Sequence, residues 1–152
     1  MHKRKIVIFF CFLLICPALL YSQTAQRIED FLNSDTLNYG QIVQFVFEAA
    51  ELPAASSPEA AFNYAVEQNW LPRNAAAGDT VSLRGLSFLV MNVFQMRGGI
   101  FFSLFNNPHY AYRELVYRGI IVGRSTPNMN VSGYNLLFIV NRVLAFQESN
   151  LL

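Results

Sequence analysis

The chain has 152 residues and a net formal charge of +1. That charge is set by the first 22 residues, which hold both Lys residues and both Cys residues; from Gln23 on, eight Arg stand against ten acidic residues, a net of −2. A mildly acidic chain without a basic block is a poor nucleic-acid binder. With no Cys and a single His, His109, after residue 22, a Cys–His nucleophile pair and a Cys/His zinc site are excluded from that region.

The chain opens "MHKRKIVIFFCFLLICPALLYSQTAQ". Lys3, Arg4 and Lys5 form a basic start, residues 6–20 an apolar run broken by Pro17, and Ser22 a small residue at a cleavage point. This is the anatomy of a secretory signal peptide over 1–22. The run is shorter than the roughly 20 residues that span a bilayer. Cys16 follows Ile15 rather than a small residue, so a lipoprotein is not expected. The reading is of an exported protein of the periplasm or cell envelope. Residues 23–152 form a single domain, long enough to bury a core without disulfides.

Beyond the signal the apolar residues recur at helical spacing. Ala25, Ile28 and Leu32 lie at i, i+3 and i+7. Asn38 with Gln41 makes a capping box, which predicts a second helix with Ile42, Phe45, Val46 and Ala49 on its inner face. Pro53 and "AASSP" mark a connector. Ser57 caps the next helix and Pro58 opens it, where its missing N–H costs nothing. Ala61, Phe62, Ala65 and Val66 are its buried stripe, and Asn69 ends it in the left-handed conformation. After the irregular "WLPRNAAAGDTV", Ser82 caps a helix whose core face is Leu86, Leu89, Val90, Val93 and Phe94, and "RGG" at 97–99 stops it.

The same events then recur. Asn107 caps, Pro108 opens, and Ala111, Tyr112, Leu115 and Val116 form the stripe; Gly119 ends the helix. "IIVGRSTPNMNV" is irregular, and Ser132 caps a last helix that buries Leu136, Val140, Val143 and Leu144. The tail "ESNLL" is expected to fray.

Residues 56–96 map onto 106–146 at a constant offset of fifty, matching Pro58 with Pro108 and Ser82 with Ser132. The helix from Asn38 fits the same template at an offset of 44, pairing Ile42 with Leu86, Phe45 with Leu89 and Val46 with Val90. The prediction is an all-α fold of three helix–loop–helix units, about 24–50, 56–96 and 106–146, with six helices packed as one compact bundle.

The starts of the three longer helices read "LNYGQIVQFV" at 37–46, "VSLRGLSFLV" at 81–90 and "VSGYNLLFIV" at 131–140. A short helix, an irregular stretch and a longer helix opening on such a cap, three times over, resembles the S-layer homology (SLH) module. The resemblance covers most of residues 24–146 and is one of pattern, since the family's Thr-Arg-Ala-Glu motif is absent from all three units. It implies an all-α repeat fold at the cell envelope with cell-wall polysaccharide as ligand. It assigns no binding residue here.

No catalytic, cofactor or metal residues are expected. His109 falls in the first turn of a helix, where its cationic form is disfavoured, and no Gly-x-Ser-x-Gly elbow exists. "GDTVS" and "NMNVS" lack the ligand count of a calcium loop. Glu114 and Arg118, at i and i+4, read as a surface ion pair. The most informative feature is the connector that holds "MRGGIFFSLFNNP": from Val93 to Pro108 it is six residues longer than its counterpart holding "AELPAASSP", from Ala49 to Pro58. It carries Ile100, Phe101, Phe102, Leu104 and Phe105. The favoured expectation is that they plug the core where units meet, because large exposed apolar patches are rare on monomers. The other is a docking element for an envelope protein or the membrane surface, with Phe101, Phe102, Phe105, Tyr110, Arg113 and Trp70 as candidate partner-binding residues.

The function expected is thus a non-catalytic exported cell-envelope module that binds cell-wall glycan or an envelope protein. The alternative is an accessory subunit of an envelope complex that docks through the aromatic connector 97–107. Membrane contact is expected only through an uncleaved signal segment or peripherally.

Overall fold

The structure, a computed structural model, describes residues 29–52 and 57–150. The expected signal peptide and the helix positions Ala25 and Ile28 lie outside the described residues. The chain divides into two compact units, residues 1–33 and 34–152. Of the first, 29–33 are described: 29–32 are helical, and the Asn33 N–H donates to the Glu29 carbonyl at 3.0 Å.

The second unit carries six helices: α1 (Tyr39–Ala49), α2 (Pro58–Glu67), α3 (Leu83–Val93), α4 (Ile100–Phe105), α5 (Pro108–Tyr117) and α6 (Gly133–Asn150). Among the described residues there is no strand, only isolated bridges between Asn38 and Thr80 and between Ser82 and Asn130. The fold is all-α. Helix α4 lies in the connector 97–107 and is not one of the six helices expected from the sequence. Helix α6 continues through Glu148 and Ser149 to Asn150, where fraying was expected.

Local chemistry explains where the helices begin. Asn38 Oδ1 accepts the Gln41 N–H at 3.0 Å while Gln41 Oε1 accepts the Asn38 N–H at 3.1 Å, a complete capping box. The hydroxyls of Ser57, Ser82 and Ser132 accept from the N–H groups of Ala60, Gly85 and Asn135. Asn107 Oδ1 accepts from both His109 and Tyr110. Four helices end alike, on a residue of positive φ: Glu51, Asn69, Gln95 and Gly119. Just beyond each, an N–H reaches back five residues: Leu52 to Phe47, Trp70 to Ala65, Met96 to Met91 and Ile120 to Leu115, at 2.9–3.0 Å.

Packing joins α1 to α2 and α3 to α5, and α1 also touches α3 and α6. The core holds Ile42, Val46, Leu86, Leu89, Val90, Leu115, Leu136, Val140 and Val143. Two stripe edges fall outside it: Val66 and Val116 are exposed. Along α2 and α5 the buried residues run i, i+1, i+4, as in Ala61, Phe62 and Ala65, and position i+5 turns away. In α1 the buried face swings toward Val43 and Phe47, leaving Phe45 and Ala49 half-buried; Leu144 of α6 is half-buried too.

The starts of α1, α3 and α6 are tied by a closed ring of backbone hydrogen bonds. The Val81 N–H donates to the Leu37 carbonyl at 3.0 Å, the Leu37 N–H to Val131 at 3.1 Å, and the Val131 N–H to Val81 at 2.9 Å. All three residues are buried. Around the ring, the first N–H of each helix is satisfied by the segment leading to another: Tyr39 donates to Asp79, Leu83 to Met129 and Gly133 to Ser34. Gly40 to Ala77 and Arg84 to Pro127 repeat one relation fifty residues apart on the acceptor side and 44 on the donor side.

Candidate functional site

The segments that satisfy these helix starts leave a cleft of about 660 Å³ between them. Its walls include Tyr39, Arg73, Asn74, Asp79, Arg84, Asn107, His109 and Asn128. Tyr39 is the first residue of α1, and its ring packs on Phe62 with 6.5 Å between ring centres. Burial pushes its phenol above the ordinary value, the nearby Asp79 carboxylate pushes the same way, and Arg84 opposes both. The Tyr39 hydroxyl reaches α3 at Gly85, where a Cβ would collide with it. Asp79 is fixed by a tight turn: its Oδ2 accepts the Ala76 N–H at 2.9 Å and its own N–H donates to the Ala76 carbonyl at 3.0 Å.

The cleft gathers two guanidinium groups, three carboxamides, one phenol and one carboxylate. Such a set forms many directional hydrogen bonds and favours a hydroxyl-rich or anionic ligand. The His109 ring is exposed and meets the edge of the Tyr110 ring, 5.7 Å between centres. Among the described residues no group of three or more His, Cys, Asp or Glu could hold a metal ion. No helix among them is long and apolar enough to cross a membrane.

A second surface is built by the connector. Phe102 is buried against Phe88, edge to face at 6.5 Å, and it lies so close to Gly98 that a Cβ there would overlap its ring. The expectation of a core plug fails for the other four apolar residues. Ile100 is 83% exposed, Leu104 71%, Phe101 63% and Phe105 53%. The reason is geometric: α4 has six residues and turns only the Phe102 side inward. Phe101 and Phe105, one turn apart, both stack on Tyr110, at 5.7 and 5.4 Å between ring centres. Arg113 stands exposed one turn further along α5. Trp70 belongs elsewhere, packed edge-on against Phe47 and Tyr64, each at 5.9 Å. Of the six candidate residues, the structure joins Phe101, Phe105 and Tyr110 in one cluster, with Arg113 beside it. It places Phe102 in the core and Trp70 in another cluster.

Glu114 and Arg118 are paired, Nε to Oε1 at 2.8 Å, but not as a surface pair: their side chains are 15% and 18% exposed. The connector covers them. Glu114 Oε2 accepts the Gly99 N–H at 3.0 Å, and Arg118 Nη2 donates to the Arg97 carbonyl. The guanidinium also lies over the Phe146 ring. The pair therefore seats the start of α4.

The cleft residues Tyr39, Arg73, Asn74, Arg84 and Asn128 carried no signal of their own in the sequence. They are scattered through caps and irregular stretches, and they converge because the helix starts converge. No family model, curated protein or solved structure matches the chain.

Proposed function

We propose that this protein is an exported, non-catalytic cell-envelope module of three helix–loop–helix units, and that its cleft binds cell-wall glycan or an envelope protein. The ring formed by Leu37, Val81 and Val131 supports the three-unit reading, because these residues hold one register at offsets of 44 and 50. The pattern resemblance to SLH modules points the same way. The observation that carries the binding reading is the cleft itself. It lies beside the starts of α1, α3 and α5 and presents Tyr39, Arg73 and Arg84 together with Asn74, Asn107 and Asn128. These groups suit the hydroxyls, amides and acidic groups of a wall polymer.

Sedimentation with purified cell wall tests this. The protein should pellet with the wall, and Arg73→Ala with Arg84→Ala should release it while the helical circular dichroism is retained. Wall binding that ignores both changes would sink the cleft as the contact. The exposed face of α4 favours a second reading, an accessory subunit of an envelope complex that docks through 97–107.

A further inference from the structure

Charge is divided along the chain. Residues 23–79 hold eight acids and two Arg, whereas residues 80–152 hold six Arg and two acids, Glu114 and Glu148. Between Asp79 and Glu114 there is no acid at all, and Glu114 is committed to Arg118. The apolar face of α4 lies inside this acid-free stretch. Ile100, Phe101, Leu104 and Phe105 are exposed on it, and Arg97 precedes it with an exposed side chain. Along α5, Tyr110, Arg113 and Tyr117 continue the same face at i, i+3 and i+7, and Tyr117 is 88% exposed.

We propose that this face docks on the surface of a bilayer that contains anionic lipid. Four apolar side chains on a short helix enter the boundary between headgroups and acyl chains. Tyr110 and Tyr117, each an aromatic ring with a polar tip, suit the headgroup layer. Arg97 and Arg113 meet lipid phosphates from the rim, where each basic side chain strengthens binding to an anionic surface. A second copy of the chain fits less well. Two-fold pairing across this face would set Arg97 and Arg113 against their own copies, with no unpaired acid in the stretch to answer them. Lipid docking on this face is independent of what the cleft binds and competes with docking of 97–107 on an envelope complex.

Residues 6–20 are apolar enough to hold lipid themselves, so the test uses a local reporter in the full chain. Trp70→Phe silences the native indole, and Leu104→Trp places one on the face. On vesicles of phosphatidylcholine with phosphatidylglycerol, the Leu104→Trp emission should shift to the blue and be quenched by brominated acyl chains. Arg97→Gln with Arg113→Gln should weaken that response by about tenfold or more. Ile100→Ser with Phe105→Ser should abolish it at unchanged helicity. Unquenched emission from vesicle-bound protein would overturn the proposal, as would equal quenching on phosphatidylcholine alone. A blue shift in vesicle-free buffer that grows with protein concentration would assign the face to a second copy. A protein cross-linked at position 104 in intact cells, without quenching on vesicles, would assign it to a protein partner.

Discussion

The Val131 N–H donates to the Val81 carbonyl at 2.9 Å, although the two residues stand fifty positions apart and each immediately precedes a helix-capping Ser. Leu37, which precedes the capping Asn38, accepts from Val81 and donates to Val131, so the three bonds close on themselves. A buried ring of this kind cannot lose one member without leaving unpaired groups beside the others. The amide protons of Leu37, Val81 and Val131 should therefore exchange at nearly one rate, the slowest in the protein, through global unfolding. Hydrogen exchange followed by NMR at increasing denaturant checks this. One of the three exchanging more than about tenfold faster than the others would show that the ring opens locally.

Much of this architecture is legible in the sequence because caps are local chemistry. Asn38, Ser57, Ser82, Asn107 and Ser132 each mark a helix start by a side chain that bonds two or three residues ahead, and all five bonds are present. Asn69 and Gly119 mark ends in the same way. The sites are less legible because they depend on distance in space. Tyr39 and Arg84 share a cleft although forty-five positions separate them, and what brings them together is the packing of α1 on α3 and the backbone bonds at the helix starts. The connector is only half legible for a different reason. Its composition states that five large apolar residues occur there, but not that only one face of a six-residue helix would find cover.

Gly85 and Tyr39 make a second test. Within a helix, Gly→Ala ordinarily stabilises by about 0.5–1 kcal/mol. At Gly85 the new Cβ would collide with the Tyr39 hydroxyl, and the Tyr39 ring is held by Phe62. Gly85→Ala should thus reverse the ordinary sign and destabilise by about 1–2 kcal/mol. In a Tyr39→Phe background the colliding oxygen is gone and most of that loss should return. Urea unfolding of the two single variants and the double variant measures the coupling. Additive effects would mean that Tyr39 moves aside freely.

The raised phenol of Tyr39 sets a pH dependence. Its ordinary value is 10.0, and burial holds the folded state above that. As pH climbs past 10 the unfolded chain loses this proton first, so the folded state binds more protons and stability falls. The contribution is fully present below the ordinary value and is lost as pH rises through the folded one. Chemical denaturation between neutral pH and the alkaline limit should show a decline that Tyr39→Phe reduces. An identical alkaline slope in both proteins would remove Tyr39 as the cause.

Glu114 holds three things at once: the Arg118 guanidinium, the Gly99 N–H and, through Arg118, the Arg97 carbonyl. Removing it leaves a largely covered Arg118 without its carboxylate and frees the start of α4. Glu114→Ala should cost about 2–3 kcal/mol, in the range of a lost hydrogen-bonded charge with incomplete access to water. Arg118→Ala should cost a similar amount, and the two losses should fall well short of adding, because they break one network. The local consequence separates this clamp from a general packing role. Limited proteolysis of Glu114→Ala should cut first within 97–107, before any other described segment. Cleavage that begins elsewhere, with the connector intact, would mean that α4 is seated by the burial of Phe102 against Phe88 rather than by the ion pair.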